Sequence, residues 1–289
     1  MQAKNDSTMN SQAQAPTAVV GLVCPECKGP LLDLHCAACD HQYVTAAGFA
    51  VLLPRDPALG ISKELTEVYE EIYSAHSGVW VNQGRTAAFI EYFSGLINAY
   101  KPRRLLEIGC GEGVLLRELE ANEKWATDLA TSALAKAVTT ARAKGCIALG
   151  ERLPFANEVF DLVTSVGVME HFIDDRQASA EICRVTRAGG HYLVLIHIHL
   201  TVLQSLRQKI AEYIFPVPRP IKLVRWALGK FYKRIHQPIQ NAYTIAAVQQ
   251  CLEQSGFTVQ DVIHTGVRPR VPLIGPHVII YVCEKPRRA

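Results

Sequence analysis

Apolar and polar positions from residue 103 onward follow two alternating patterns. Short runs that are almost wholly apolar are typical of buried strands, whereas apolar positions spaced by three and four residues are typical of helices. The patterns predict strands at 104–108, 124–128, 146–149, 159–164 and 191–198, with helices after 112, at 131–144 and at 175–187. Strands that alternate with helices favour an α/β fold with a parallel sheet and helices on both of its faces.

The segments that flank this region also have a clear pattern. Residues 62–100 are predicted to be helical. Residues 245–255 are predicted to form a helix that ends at Gly256, a residue typical of helix C-termini. Residues 259–264 and 278–283 are predicted to form a terminal strand pair. The helical segment carries aromatic residues that could belong to the core or contact a ligand: Tyr69, Tyr73 and Trp80.

Residues 200–240 are too long for a plain connection between two elements. Within them, residues 221–236 have apolar positions at intervals of three and four and basic residues elsewhere on the wheel, which predicts an amphipathic helix with a basic face. Two interpretations remain open. The segment is either a cap over a substrate site or a helix that lies on an anionic membrane surface.

A glycine-rich turn follows the strand at 104–108. Gly109, Gly111 and Gly113 alternate with other residues, and glycine allows both a positive φ and a close approach of a ligand to the backbone. Asp128 ends the next strand, 21 residues after Glu107. One carboxylate in this place can accept hydrogen bonds from both hydroxyls of a ribose. The turn and the acid together predict a nucleotide-like ligand.

The glycine spacing is Gly-x-Gly-x-Gly, not the Gly-x-Gly-x-x-Gly of dinucleotide-binding proteins. Residues 105–128 resemble the S-adenosylmethionine (SAM) site of class I methyltransferases. The resemblance continues at Leu153-Pro154-Phe155, at 160–163, at Met169-Glu170-His171 and at 184–190. It covers about residues 103 to 200 and is strongest with the family that includes ubiquinone and menaquinone C-methyltransferases. It implies a seven-stranded, Rossmann-like methyltransferase sheet and SAM as cofactor.

The resemblance also implies roles for individual residues. It assigns the three glycines to the turn on the cofactor, Glu107 to the methionine end, Asp128 to the ribose and Leu129 to the adenine. In the family an acid often precedes Leu-Pro-Phe and accepts from the adenine amino group, but Leu149 stands in its place. Either Glu151 or the backbone is therefore expected to make that contact, or the adenine is held less specifically.

A general base is needed when the atom that receives the methyl group carries a proton. Histidine suits this role because its pKa lies near the working pH. The candidates are His171, after the fourth strand, and His197 and His199, at the end of the fifth.

Four cysteines form two Cys-x-x-Cys pairs, Cys24 with Cys27 and Cys36 with Cys39, with eight residues between the pairs. Two such pairs can complete a tetrahedral zinc site, and the alternatives are a pair of disulfides or free thiols. The segment resembles the small zinc ribbon found ahead of many SAM methyltransferase domains and of bacterial rRNA guanine methyltransferases. Four thiolates leave no open coordination position, so the zinc would be structural. The other cysteines are predicted to be small core residues: Cys110, Cys146, Cys183, Cys251 and Cys283.

The predicted organisation is a disordered leader at 1–20, a zinc ribbon at 21–56, a helical lid at 57–102 and a methyltransferase domain at 103–289 with a cap insertion at about 200–240. The net charge of +3 is far from that of a dedicated nucleic-acid binder. Residues 1–20 contain no apolar block typical of a signal peptide, and the nine cysteines indicate a reducing compartment. A cytoplasmic protein is expected, with peripheral membrane contact through 221–236 as one alternative.

Two functions follow from these expectations. The first is SAM-dependent methyl transfer to a small-molecule or lipid-like acceptor. The second is methylation of an RNA base, with the zinc ribbon helping to bind RNA. A degenerate, non-enzymatic scaffold is a third interpretation, and the intact glycines and Asp128 argue against it. The sequence indicates neither the acceptor nor the oligomeric state.

Overall fold

A computed structural model describes residues 21–55, 63–75, 87–198, 239, 241–265 and 277–287. The strands are β1 (His35–Cys36), β2 (His41–Gln42), β3 (Val44–Ala46), β4 (Phe49–Val51), β5 (Arg104–Ile108), β6 (Glu123–Asp128), β7 (Lys144–Ile147), β8 (Phe160–Val166), β9 (Thr186–Ile198), β10 (Thr258–His264) and β11 (His277–Glu284). The α-helices are α1 (Lys63–Ala75), α2 (Ala87–Asn98), α3 (Thr131–Ala141), α4 (Asp175–Val185) and α5 (Ile245–Gln254).

Nine strands form one mixed sheet in the order β10-β11-β9-β8-β5-β6-β7-β4-β3. The five strands from β5 to β9 are parallel to one another, and β11 is antiparallel to both β9 and β10. Seven of the nine, β5 to β11, correspond to the expected methyltransferase sheet, so the predicted α/β class is confirmed. The strand order reverses at β5, because β6 lies on one side of it and β8 on the other. Ligands of open α/β sheets bind at such a reversal, beyond the carboxyl ends of the strands.

Apolar side chains cover both faces of the sheet. One core cluster contains Trp125, Phe155 and Tyr192, and the other contains Phe93 and Leu193. Burial on both faces explains why the central strands are almost continuously apolar in sequence. The five cysteines outside the Cys-x-x-Cys pairs are all buried, as expected.

The N-terminal segment packs against the sheet and extends it. β3 and β4 form a hairpin, and Val51 of β4 is the parallel partner of Ile147 at the end of β7. The Val23 amide donates to the Pro154 carbonyl at 3.0 Å. Lys28 lies 2.7 Å from the Glu181 carboxylate on α4. Backbone pairing and an ion pair therefore hold this segment to the Leu-Pro-Phe loop and its surroundings.

The prediction of a helix after residue 112 is wrong. In its place the chain makes one short 3₁₀ turn at Leu116–Glu118 and returns to the sheet at β6. The Asn98 side chain closes the turn: its Nδ2 donates to the Glu118 carbonyl at 3.0 Å, and its Oδ1 accepts from the Glu120 amide at 2.9 Å. The Lys124 ammonium donates a hydrogen bond to the Leu116 carbonyl at 3.3 Å. These side-chain contacts satisfy the backbone groups that a longer helix would pair internally.

Helix α3 also ends earlier than the apolar pattern indicates. Arg142 adopts a left-handed conformation with φ of 52°, which stops the helix at Ala141. Strand β7 can then begin at Lys144, two residues before the expected start. Strand β9 begins at Thr186, five residues before the expected start, and the other predicted strand and helix ends agree with the structure to within two residues.

Several predictions concern residues outside the described ranges. These are the leader at 1–20, the cap at about 200–240 with its amphipathic segment 221–236, Trp80 and His199. Within the described ranges, no helix has both the length and the apolar character needed to cross a membrane.

Candidate active site

A cleft opens at the carboxyl ends of β5, β6 and β8, where the strand order reverses. It contains about 750 Å³ of empty space, part of it open to solvent. The lining residues are Leu65, Tyr69, Tyr73, Ile108, Gly109, Asp128, Leu129, Ala148, Leu149, Gly150, Glu151, Val166, Gly167, Val168, His171, Phe172 and Ile173.

Asp128 lies at the end of β6 with its carboxylate fixed by the backbone. Oδ2 accepts from the Gly111 amide at 2.7 Å, and Oδ1 accepts from the Ala130 amide at 2.9 Å. Each oxygen keeps a second lone pair for another donor. Burial raises the pKa of Asp128, and these backbone donors oppose that rise. The geometry can present two acceptors, side by side, to a pair of neighbouring hydroxyls.

The three glycines of the turn have different surroundings. All have positive φ, but only Gly109 lines the cleft. A Cβ on Gly111 would lie 2.8 Å from the Tyr73 hydroxyl. A Cβ on Gly113 would lie 2.6 Å from Cα of Ala137, so this glycine allows the turn to pack against α3. Glu107 is buried on β5 and is not among the residues that line the cleft.

The opposite wall of the cleft carries Leu149 and Glu151. Glu151 is buried, and its Oε1 accepts from the Ile173 amide at 2.7 Å. Its Oε2 is buried without a hydrogen-bond partner among the described residues. Burial raises the pKa of Glu151. The structure therefore places at this wall an acceptor atom that a ligand donor could satisfy.

Helix α1 covers one side of the cleft with Tyr69 and Tyr73. Burial, followed by the charges of Asp128, Glu151 and Glu170, raises the pKa of the Tyr69 phenol. The Tyr69 hydroxyl thus lies in a field set by three carboxylates. Ile72 and Tyr73 also pack against Ala130 and Ala133 at the start of α3.

The candidate histidines lie in different places. His171 lines the cleft, and its Nδ1 lies 2.6 Å from the Ile239 carbonyl. A carbonyl can only accept, so Nδ1 carries the proton. His197 is near the end of β9 and does not line the cleft, and its Nδ1 lies 2.7 Å from Oε1 of Glu170.

The cysteine cluster is a second site, and none of its residues lines the cleft. The four sulfur atoms of Cys24, Cys27, Cys36 and Cys39 lie within 4.8 Å of one another. The separations are 3.8 Å between Cys24 and Cys39 and 3.5 Å between Cys27 and Cys36. Sulfur ligands about 2.3 Å from a tetrahedral zinc would stand at similar separations.

Tyr43 supports one corner of this cluster. Its hydroxyl lies 3.2 Å from the Cys24 sulfur, and both residues are buried. Hydrogen bonds to ligand atoms are a regular feature of metal sites because they orient the ligands. The donor set and its geometry therefore fit a structural zinc ribbon.

Comparison with known proteins identifies the class. Residues 106–194 match the family described as Methyltransferase domain. A demethylmenaquinone methyltransferase of Mycobacterium marinum is 35% identical over 160 residues, which cover 54% of this chain and 67% of that protein. With the sheet order and the cleft, these matches show that the chain belongs to the class I SAM-dependent methyltransferase family.

Two further relatives match over shorter stretches. A demethylmenaquinone methyltransferase of Mycolicibacterium paratuberculosis is 34% identical over 94 residues, or 32% of this chain and 40% of that protein. A Bos taurus protein described as "Probable tRNA methyltransferase 9B" is 33% identical over 103 residues, or 33% of this chain and 22% of that protein. The chain thus matches less than half the length of either relative.

Solved structures support the fold. A SAM-dependent methyltransferase of Thermotoga maritima has a TM-score of 0.55 at 16% identity, over 76% of this chain and 99% of that chain. A chain from the complex between the Haloferax volcanii Trm112 methyltransferase activator and a methyltransferase also has a TM-score of 0.55, at 12% identity over 76% of this chain and 98% of that chain. At these identities the likeness concerns the fold alone.

The structure adds residues that the sequence reasoning did not assign to the site. Leu65, Phe172 and Ile173 line the cleft, and Glu170 is the partner of His197. Glu170 belongs to the Met-Glu-His motif, which is the one signal in the sequence that could have drawn attention to it. The apolar residues give no such signal, because the sequence does not distinguish a core position from a lining position.

Proposed function

We propose that the protein transfers a methyl group from SAM to a small-molecule or lipid-like acceptor. The observation that carries this proposal is the Asp128 carboxylate, held by two backbone amides at the floor of the cleft beside Gly109. The remaining lone pairs suit the two hydroxyls of a ribose. The demethylmenaquinone methyltransferase of M. marinum, matched over two thirds of its length, supports a quinone-like acceptor class.

The roles of the other residues follow from their positions. Gly109 lets the cofactor approach the backbone, Leu129 packs on the adenine, and the unpartnered oxygen of Glu151 accepts from the adenine amino group. Gly111 and Gly113 shape the turn, and Glu107 lies behind it. When bound, SAM supplies a methyl group already activated by its sulfonium charge, so the protein chiefly aligns the reactants and removes a proton.

The cysteine cluster is proposed to hold a structural zinc. Four thiolates would fill its coordination sphere, so the metal would stabilise the ribbon and take no part in the transfer. The ribbon contacts the Leu-Pro-Phe loop that follows Glu151, which gives it a role in supporting that wall of the cleft.

Calorimetric titration with S-adenosylhomocysteine (SAH) tests the cofactor proposal. Asp128→Asn retains the size of the side chain but removes its charge, and two hydrogen bonds to a charged acceptor are weakened. SAH affinity is expected to fall about 100-fold or more. Asp33→Asn, on the exposed surface of the ribbon, is the matched control and should bind like the parent. Binding of SAH by Asp128→Asn with unchanged affinity would refute the ribose assignment.

A second candidate function is methylation of an RNA base. It is favoured by the ribbon ahead of the methyltransferase sheet and by the Bos taurus relative, whose name refers to tRNA. Strongly salt-dependent binding of structured RNA, with label from SAM entering RNA and no label entering small molecules, would select this function over the first.

A further inference from the structure

Glu170 and His197 form a pair that the cofactor contacts do not use. Nδ1 of His197 lies 2.7 Å from Oε1 of Glu170. The Glu170 side chain is 7% exposed and that of His197 is 41% exposed within the described structure. A buried carboxylate therefore holds an imidazole that is itself partly exposed within the described structure.

This contact fixes which ring nitrogen carries the proton. A carboxylate oxygen only accepts, so Nδ1 of His197 donates to Glu170, and Nε2 of the neutral ring keeps its lone pair. The second oxygen of Glu170 is buried without a hydrogen-bond partner among the described residues. The Glu170 carboxylate thus fixes both the orientation and the tautomer of the His197 ring, as carboxylate partners do for catalytic histidines. His171 differs, because its Nδ1 meets a neutral carbonyl.

The short turn that carries Glu170 is held in place. The Asn241 amide donates to the Glu170 carbonyl at 2.7 Å, and the Asn241 side chain donates to the Phe172 carbonyl at 2.7 Å. The Tyr243 hydroxyl donates to the Met169 carbonyl at 3.2 Å. The backbone of the turn that carries Glu170 is thus fixed by residues that precede α5.

The pair also lies beside the cleft. The Gly167 amide donates to the Leu195 carbonyl at 2.9 Å, two residues before His197, and Gly167 itself lines the cleft. The Glu170 charge contributes to the raised pKa of Tyr69, which lines the cleft from α1. His197 therefore stands at the carboxyl edge of the sheet, next to the proposed SAM site.

We propose that His197 is the general base of the reaction and that Glu170 is its positioning residue. We also propose that the acceptor carries a phenol- or enol-type hydroxyl. Both statements rest on the proposed methyl transfer. Such a hydroxyl is a weak nucleophile until its proton is removed, and a phenol has a pKa of about 10, within reach of a histidine base. Amine lone pairs and thiolates attack without this help. A quinol, the reduced form of a quinone, belongs to the same class of hydroxyl compounds.

Nε2 of His197 takes the proton of the acceptor hydroxyl. The acceptor oxygen, or the ring carbon conjugated with it, then forms a bond to the methyl carbon of SAM. The bond between the methyl carbon and sulfur breaks, and its electron pair stays on sulfur, so that SAH is formed. When the acceptor carbon is the nucleophile, its own proton passes to the acceptor oxygen by tautomerisation. The proton on His197 then returns to water.

Two variants test the pair, His197→Gln and Glu170→Gln, with His264→Gln and Glu120→Gln as exposed controls remote from the cleft. SAH affinity should stay within about twofold of the parent in all four. The rate of transfer should fall about 100-fold or more in His197→Gln and about 10-fold in Glu170→Gln. Added imidazole should restore part of the rate lost in His197→Gly. A merely structural role would lower SAH affinity and rate together and would show no rescue.

A second readout needs no acceptor. In the parent, nitrogen-15 NMR of labelled histidines should show a His197 Nδ1 proton shifted by its bond to a carboxylate, and this proton should move toward the other histidines in Glu170→Gln. An unchanged resonance would overturn the positioning role of Glu170.

The acceptor class is tested with methyl-labelled SAM and three probes: catechol, naphthohydroquinone and histamine. Label is expected on a hydroxyl probe, and product analysis then distinguishes methylation at oxygen from methylation at carbon. Label on histamine alone, or on neither hydroxyl probe, would overturn the acceptor class. Undiminished transfer by His197→Gln would overturn the base. Absence of SAH binding by the parent would instead remove the proposed function itself.

Discussion

The cysteine cluster and the cofactor cleft bring polar groups together over different ranges of sequence. All four sulfurs come from residues 24–39, and the knuckles need only local turns to meet. The cleft collects Tyr69, Asp128, Glu151 and His171, and these meet only because the sheet brings distant strand ends to one edge. The residues of the cysteine cluster can meet within one short segment of the chain, whereas the residues of the cleft meet only in the complete fold.

The two sites also differ in how they tolerate buried charge. The thiols fit a cation at their centre, which would offset their mutual repulsion when they are ionised. In the cleft, the carboxylates of Asp128 and Glu151 are buried beside backbone donors, and burial raises the pKa of both. The ribbon should therefore depend on metal for stability, and the cleft should cost stability in the absence of its ligand.

Metal removal should give the largest effect. Cys36→Ser, or chelation of the parent, should abolish stoichiometric zinc binding and unfold the knuckles, because structural zinc contributes about 10–16 kcal/mol in small zinc-binding peptides. Zinc content by atomic absorption and amide hydrogen exchange over 21–55 are the measurements. Ala37→Ser, an exposed residue beside Cys36, should retain one zinc per chain. Protected ribbon amides after complete chelation would show that the cluster needs no metal.

Gly113→Ala should give an intermediate effect on global stability. The new Cβ would lie 2.6 Å from the backbone of α3, at a φ of +73° that alanine adopts poorly. Overpacking and backbone strain together should lower the free energy of unfolding by about 2–4 kcal/mol. Urea unfolding at unchanged slope measures this. Gly95→Ala is the matched control, since a Cβ there meets nothing within 4 Å and alanine is favoured in α2, so equal destabilisation by both variants would contradict the packing role.

Glu151→Gln should have the smallest effect on stability, and the size of that effect should depend on pH. Burial raises the pKa of Glu151 above its ordinary value of 4.5, so the folded state holds this proton more tightly than the unfolded state does. The parent therefore loses stability as pH rises through the raised pKa, whereas glutamine stays neutral and can still accept from Ile173. The variant should melt a few degrees higher at pH 7 and equally at about pH 4. Thermal melting across this range is the measurement, with the exposed Glu120→Gln as control, and a gain that is the same at both pH values would show that burial of the charge is not its cause.

The sequence was sufficient where the signal is local. β5 was predicted at its observed bounds, because a buried parallel strand is a continuous apolar run that ends at a glycine turn. The thiol cluster was predicted from its spacing. The helix after 112 was predicted wrongly, because the bonds that close this turn come from Asn98 and Lys124, which no pattern within the turn reveals.

Contacts between residues far apart in the sequence could not be predicted either, because a local pattern does not reveal a distant partner. The pairing of Val51 with Ile147 joins residues almost a hundred positions apart, and a strand of three residues carries no mark of its neighbour. The contact between Glu170 and His197 is likewise made across two strand ends. Histidines could be proposed as bases from their place after a strand, but the carboxylate that orients one of them emerges only from the fold.

The parallel pairing of β4 with β7 has a consequence for synthesis on the ribosome. The knuckles precede β7 in the chain and need only each other, so they can capture a metal before β7 has been made. β3 and β4 must wait for β7 to emerge, because their place in the sheet is built from residues translated much later. Until then the edge of β4 that pairs with β7 has no partner strand, and an unpaired strand edge can associate with other chains. The knuckles can therefore fold before β7 exists, whereas the hairpin that follows them reaches its place in the sheet only after β7 has been made.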